Sequence, residues 1–325
     1  MKQRMITIMI GMALIAGASL VLAVEPGRKQ SDLPNFKHVF VIMMENTSYE
    51  TLIGNPNAPW INAAAAKYGV ATKYYGISHP SQPNYIAATS GSTHGVTGNS
   101  DVTLSVPNLV DQLETAGKTW KSYQQSLSLC GGNKLKNECG GQRYVRKHNP
   151  FVSYGDVQTN PARLAKVVDF SEFQSDLDAG HVADFSWITP DQCNDMHGRS
   201  AASFSDPCNG NREKLIAAGD AFLKTWVEKI IASKAWTGNS VLFITWDEGD
   251  GAGNYTSGCC NADPGGGHVL TLVISHADPA PRRSSVPYNH YSLLGTIEDA
   301  WGLGCLANTC SANVPRISDL VGSPH

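Results

Sequence analysis

Four short apolar runs constrain this chain more than any other feature: HVFVIMM (38–44), FSWIT (185–189), VLFITW (241–246) and VLTLVIS (269–275). Each is too short for a buried helix and is rich in β-branched or aromatic side chains, so each reads as a buried strand. Between them lie stretches with helical periodicity. The longest, 212–236, places Leu215, Phe222, Trp226 and Ile230 on one face. Its aromatic residues read as core packing. Segments 107–116 and His290–Trp301 also read as helices. Strands alternating with helices predict an α/β fold, a three-layer sandwich whose mainly parallel central sheet is covered on both faces. The stretch 128–161, rich in Gly, Asn and Lys, reads as a loop-rich insert.

Residues 1–23 read as an export signal. Lys2 and Arg4 precede an apolar run from Met5 to Val24, and Ala23 offers a small residue at a cleavage point. The run is long enough to act instead as an uncleaved anchor, but its charge and cleavage pattern favour removal. The expectation is a single domain over 24–325, secreted or periplasmic, with no stable membrane insertion. Eight cysteines agree with an oxidising compartment. Their spacing suggests local bridges: Cys130 with Cys139, Cys193 with Cys208, Cys305 with Cys310. None of the spacings is that of a zinc ribbon. Cys259 and Cys260 stay open, since a bridge between neighbours is strained and distant pairings would reshuffle the local scheme. A formal net charge of −3 gives no sign of a nucleic-acid partner.

Ligands of open α/β sheets bind beyond the carboxyl ends of the strands. There the sequence supplies acids. Glu45-Asn46 follows the first run, Asp191 and Asn194-Asp195-Met196-His197 follow the second, and Asp247-Glu248 follows the third. One acid alone is a cap or a turn residue. Three clusters on one edge would repel, and a divalent metal is the usual remedy. Oxygen donors favour Ca, Mg or Mn, and imidazole brings Zn or Fe into play.

Ser81 precedes Gln82-Pro83-Asn84, and Pro83 suits the first turn of a helix. Ser81 then sits at a helix N-terminus, where backbone N–H groups favour a phosphate and an alkoxide. A plain N-cap serine is the competing reading. Asn84, one turn on, is a candidate for a phosphoryl oxygen. Gly265-Gly266-Gly267-His268 suggests backbone approaching a ligand closely, or else a flexible turn. His94 and His290 are further candidates for substrate binding, while His38, His148 and His181 read as structural or solvent-facing.

Taken together, MMENTSYE (43–50), HPSQPNYIAATSG (79–91), NDMHG (194–198), WDEGDG (246–251), GGGH (265–268) and HYSLLGTIEDAWGL (290–303) resemble the bacterial phosphoesterase family of acid phosphatases and phospholipases C, within the alkaline-phosphatase-like superfamily. The resemblance implies a sheet sandwiched by helices and a metal held by Glu45, Asn46, Ser81, Asp247 and Glu248. It implies that Asp195, His197 and His268 complete the site as a second metal position or a phosphate cradle. The expected activity is hydrolysis of a small phosphate ester, with Ser81 as nucleophile and His197 or His268 as general acid. The alternatives are a phospholipase C or other diesterase, and an exported metal-binding protein without turnover. A sulfatase would need an arginine that Ser81-Gln82-Pro83-Asn84-Tyr85 lacks.

Overall fold

The computed structural model describes residues 33–199 and 208–322, so the expected export signal lies outside the described residues. Eleven strands are described: β1 (Val39–Met44), β2 (Gly69–Tyr75), β3 (Trp120–Gln124), β4 (Glu138–Cys139), β5 (Tyr144–Val145), β6 (Val167–Asp169), β7 (Phe185–Thr189), β8 (Val241–Trp246), β9 (His268–Ser275), β10 (Arg283–Ser284) and β11 (Tyr288–Asn289). All but β4 and β5 form one nine-stranded sheet in the order β10-β2-β9-β8-β1-β7-β3-β6, with β11 also on β2. From β8 through β6 the pairings are parallel. β9 runs against both its neighbours.

Every residue of β1 and β8 is buried, as their apolar composition demands of central parallel strands. Their register runs from Val39↔Val241 to Met44↔Trp246. The two strands therefore end level, and Glu45 and Asp247 leave the sheet side by side. Because β9 is antiparallel, its first residue, His268, lies at that same edge. Helices flank the sheet. Helix Pro59–Lys67 packs on Arg212–Ala232, and helix Gln82–Ser90 packs on His290–Trp301.

Seven of the described strands escape the apolar-run criterion, four of them only two residues long. β2 (GVATKYY), β3 (WKSYQ) and β6 (VVD) are polar in part or very short, and each is held by its ladder to a neighbour. The long helix stops at Ala232, short of Trp236. The 107–116 helix begins at Leu109, because the Asn108 side chain accepts from Val110 N–H and Asp111 closes the capping box. Within 128–161 lie the β4–β5 hairpin, the Cys130–Cys139 bridge and several single turns. This segment reaches the core: Phe151 is fully buried, with its ring 5.2 Å from Trp120 and 6.0 Å from Trp187. The other bridges are Cys193–Cys208, Cys259–Cys260 and Cys305–Cys310.

Candidate active site

Glu45, Asp195 and Asp247 are fully buried where β1, β7 and β8 end. Each keeps one carboxylate oxygen without a hydrogen-bond partner: Glu45 Oε1, Asp195 Oδ2 and Asp247 Oδ2. Their other contacts fix them in place. Asn46 N–H donates to Asp247 Oδ1 at 2.9 Å, with Asn46 held at a φ of 36°, sparsely populated for any residue but glycine. His197 N–H donates to Asp195 Oδ1 at 2.7 Å. The Arg212 guanidinium ties the two loops together, donating to the Asn46 carbonyl at 2.8 Å and the Met196 carbonyl at 3.1 Å, and pairing with Asp250.

Ser81 stands at the start of helix Gln82–Ser90 in helical geometry, and its hydroxyl makes no cap bond. Ser81 Oγ lies 3.2 Å from Glu45 Oε2 and 3.1 Å from Glu248 Oε1 instead. One hydroxyl proton serves one carboxylate at a time. The helix end is less open to an anion than its sequence suggests. Gln82 N–H donates to Asn99 Oδ1 at 3.0 Å, Pro83 has no N–H, and Asn84 N–H is 2.9 Å from the Ser81 carbonyl. A phosphate here needs its positive partners elsewhere.

Burial raises the carboxyl groups of Asp195 and Asp247 well above the usual range, and the nearby Glu45 adds to the rise. Burial also raises Glu248, although its bond to His79 opposes the change. Among the described residues these acids meet no Lys or Arg; their ionic partners are His79 on Glu248 and His148 between Glu45 and Asp195. No three His, Cys, Asp or Glu side chains among the described residues already converge as a ready metal cage. The donors nonetheless fit a divalent cation: crowded hard oxygens, several unpartnered, in a buried place that lacks positive charge.

His197 accompanies this cluster. Its Nδ1 is 2.7 Å from the Gly198 carbonyl, which leaves Nε2 for a substrate. Four other candidates are held elsewhere. Asn84 pins the loop before Ser81, its Oδ1 accepting from Ile77 N–H (2.7 Å) and Ser78 N–H (3.1 Å) and its Nδ2 donating to the Ser78 carbonyl (2.8 Å). His94 meets Ser90 Oγ at 3.0 Å, at the far end of the nine-residue helix that Ser81 begins, about 13 Å away along its axis. His290 is buried between Tyr74 OH (3.1 Å) and the Asp247 carbonyl (2.6 Å). Burial drives it down to about 4 against the pull of that carbonyl. His268 has Nδ1 on Glu50 (2.7 Å) and Nε2 on the Thr72 carbonyl (3.0 Å), and its ring stacks on Tyr49. The glycines before it meet backbone rather than a ligand: a Cβ on Gly266 would stand 2.6 Å from the Ser78 carbonyl oxygen.

Two histidines that are not sequence candidates join the cluster, and one of them, His148, is not solvent-facing but buried against the acids. His148, in the turn Arg146–His148, puts Nε2 2.9 Å from Glu45 Oε1, angled so that no hydrogen bond forms, and Nδ1 3.7 Å from Asp195 Oδ2. Burial, then the charges of Lys147 and His197, hold it well below the usual histidine range. Its signal in the sequence is absent, because the contact with Glu45 spans about a hundred residues. The signal that could have found His79 is its place two residues before Ser81. Its ring stacks on Tyr255 with centroids 3.6 Å apart, and Nε2 meets the Tyr255 carbonyl at 2.8 Å. Burial alone would lower His79, but the Glu248 carboxylate and that carbonyl raise it.

A model of the Phosphoesterase family matches residues 55–304. A phosphatidylinositol-3-phosphatase of Mycobacterium tuberculosis is 32% identical over 94% of this chain and 90% of its own length. An acid phosphatase of Aspergillus fumigatus is 26% identical over 94% of this chain, which spans 64% of that longer protein. Among solved structures, a protein of the alkaline phosphatase superfamily from Vibrio parahaemolyticus has a TM-score of 0.55 at 16% identity, covering 90% of this chain and 71% of its own. A phosphonate monoester hydrolase of Agrobacterium radiobacter has a TM-score of 0.52 at 12% identity, covering 82% and 74%. These two share the alkaline-phosphatase-like fold. Motif order, site geometry and sequence identity lead to one assignment: the chain belongs to the phosphoesterase family and is a phosphoric ester hydrolase.

Proposed function

We propose that this protein is an exported, divalent-metal-dependent phosphatase that hydrolyses phosphomonoesters through a phosphoseryl intermediate on Ser81. The observation that carries the reading is the Ser81 hydroxyl, uncapped and set between two buried carboxylates. Glu45, Asn46, Ser81, Asp195, Asp247 and Glu248 are the residues that would hold the cation. A bound divalent cation supplies Lewis acidity at the phosphoryl oxygens and lowers the pKa of a hydroxyl.

Ser81 Oγ attacks phosphorus in line with the leaving alcohol and gives up its proton to a neighbouring carboxylate, Glu45 or Glu248. The P–O bond to the alcohol breaks as the new Oγ–P bond forms. His197, protonated, donates from Nε2 to the departing oxygen. Water then attacks the phosphoserine, the Oγ–P bond breaks, and Ser81 recovers a proton. His148 and Arg212 hold Glu45, Asp195 and Asn46 in register. The phosphatase names of the two relatives support a monoester substrate. The four disulfides suit an exported protein.

The test is acid-quenched turnover of a labelled phosphomonoester followed by peptide mapping. Label on Ser81 is expected. Turnover without any covalent label would mean that water attacks directly. Comparing kcat/KM for p-nitrophenyl phosphate and bis-p-nitrophenyl phosphate decides between monoesterase and diesterase, and a tenfold preference for the diester would overturn the monoester reading.

A further inference from the structure

Glu248 differs from the other acids of the site in how it is held. Its backbone is fixed on both sides: Asp247 N–H donates to the Met44 carbonyl at 3.0 Å and Gly249 N–H to the Gly266 carbonyl at 2.8 Å. Asp247 and Asp195 each accept from a backbone N–H, whereas the Glu248 carboxylate is held by two side chains. Oε1 faces Ser81 Oγ at 3.1 Å, and Oε2 bonds His79 Nδ1. A glutamate side chain has much rotamer freedom to lose on ordering, so whatever orients it beforehand favours binding.

His79 is itself oriented. Its Nε2 lies 2.8 Å from the Tyr255 carbonyl, and its ring lies flat on the Tyr255 ring, with centroids 3.6 Å apart and planes within 7°. A carbonyl oxygen only accepts, so Nε2 donates to it and Nδ1 is left to face Glu248. The Tyr255 loop is backed by the glycine run. Gly265 N–H donates to the Thr256 carbonyl and Gly267 N–H to the Ser257 carbonyl, both at 3.0 Å. A Cβ on Gly265 would stand 2.7 Å from the Ser257 carbonyl oxygen, and one on Gly267 3.1 Å from that of Tyr255. The missing side chains let the loop close down and bring Tyr255 onto His79. A similar acid, imidazole and tyrosine meet at Glu50, His268 and Tyr49, but that series ends on an exposed acid. The His79 series ends on a buried one whose second oxygen reaches Ser81.

We propose that His79, set by Tyr255, is a positioning residue for the cation: it presents the Glu248 carboxylate already oriented to the metal beside Ser81. The proposal rests on the metal-dependent reading of the site. A partner one bond behind a metal ligand changes metal affinity or activity by about 10- to 100-fold when removed.

The test is calorimetric titration of Mn²⁺ into metal-free protein, which reads binding without turnover. His79→Ala is expected to weaken Mn²⁺ binding by about 10- to 100-fold. His79→Asn is expected to stay within about threefold of wild type, because its amide nitrogen replaces Nδ1 as a donor to Glu248. Both variants lack the imidazole and any charge on it, so their difference isolates the hydrogen bond. Tyr255→Ala, at a residue 49% exposed, is expected to weaken binding about threefold or more, and it carries the test should His79→Ala fail to fold. Tyr255→Phe keeps the stacked ring and is expected to bind as wild type. His268→Ala is the control and should leave Mn²⁺ binding unchanged. Unchanged affinity in folded His79→Ala or in Tyr255→Ala, equal losses in His79→Ala and His79→Asn, or an equal loss in His268→Ala overturns the proposal while leaving the metal site standing. Wild-type protein that takes up no Mn²⁺, Ca²⁺ or Zn²⁺ overturns the metal reading and the proposal with it.

Discussion

The carboxyl edge of the sheet has two flanks that use the same side-chain chemistry to opposite ends. On the parallel flank, β1, β7 and β8 deliver Glu45, Asp195 and Asp247, each with an oxygen that bonds nothing. On the antiparallel flank, Glu50 and His268 are also an acid and an imidazole, but the pair is closed: Glu50 bonds His268, His268 bonds the Thr72 carbonyl, and Tyr49 covers the ring. An acid beside a histidine therefore does not mark chemistry. Several acids with unfilled hydrogen-bonding capacity gathered in one buried place do, because such a cluster is costly in a resting fold and a ligand relieves it.

That contrast can be broken most directly by removing the divalent cation proposed for the parallel flank. Exhaustive chelation is expected to abolish turnover, and a divalent cation is expected to restore it, as read by metal analysis beside activity. Full turnover in metal-free protein would erase the distinction between the flanks. Next in size is Ser81→Ala, with an expected loss of at least about a thousandfold in kcat and an unchanged circular dichroism spectrum. His148→Gln should cost about 10- to 100-fold in kcat, as Glu45 and Asp195 lose the ring between them. On the other flank, His268→Ala should reduce kcat by less than about fivefold while lowering unfolding stability by about 1–3 kcal/mol, since two hydrogen bonds and a stacked ring are lost. Equal kinetic damage from His148→Gln and His268→Ala would mean that closed and open pairs are not different in kind.

The smallest effect on turnover concerns an acid on neither flank. Glu298 is fully buried on the His290–Trp301 helix, with Oε1 accepting from Gln112 at 3.1 Å and Oε2 unpartnered. Burial raises it to about 7, while bonds from Thr309 and Gln112 and the charge of Arg316 pull it down. Its folded pKa lies above its unfolded one, so the native state binds the extra proton between them. Its contribution to stability is complete below about pH 4.5 and lost as pH rises to about 7, roughly 3 kcal/mol in all. Glu298→Gln should flatten that slope in denaturant titrations and leave turnover alone.

What was legible in the sequence follows from what is local. β1, β7, β8 and β9 declare themselves because strands buried on both faces must be apolar throughout. Glu45, Asp195, Asp247 and Ser81 are readable because they directly follow strands or open a helix. β3 is not, since WKSYQ becomes a strand through its register with β7. His148 is not, because nothing near it in the chain indicates Glu45. The use of Asn84 is hidden for another reason: a side chain bonding its own loop and one bonding a ligand look alike in sequence.

The four disulfides link residues 9, 15, 1 and 5 positions apart. Eight cysteines can pair in about a hundred ways, and these bridges join each cysteine to its nearest neighbour along the chain. Each can form as its own short segment is made, before distant segments have met, so oxidation of the chain has little opportunity to go astray. Short loops also remove less entropy from the unfolded chain than long ones do. The Cys193–Cys208 loop contains Asp195 and His197. A reductant should therefore register in the assay cuvette before it registers in the melting curve.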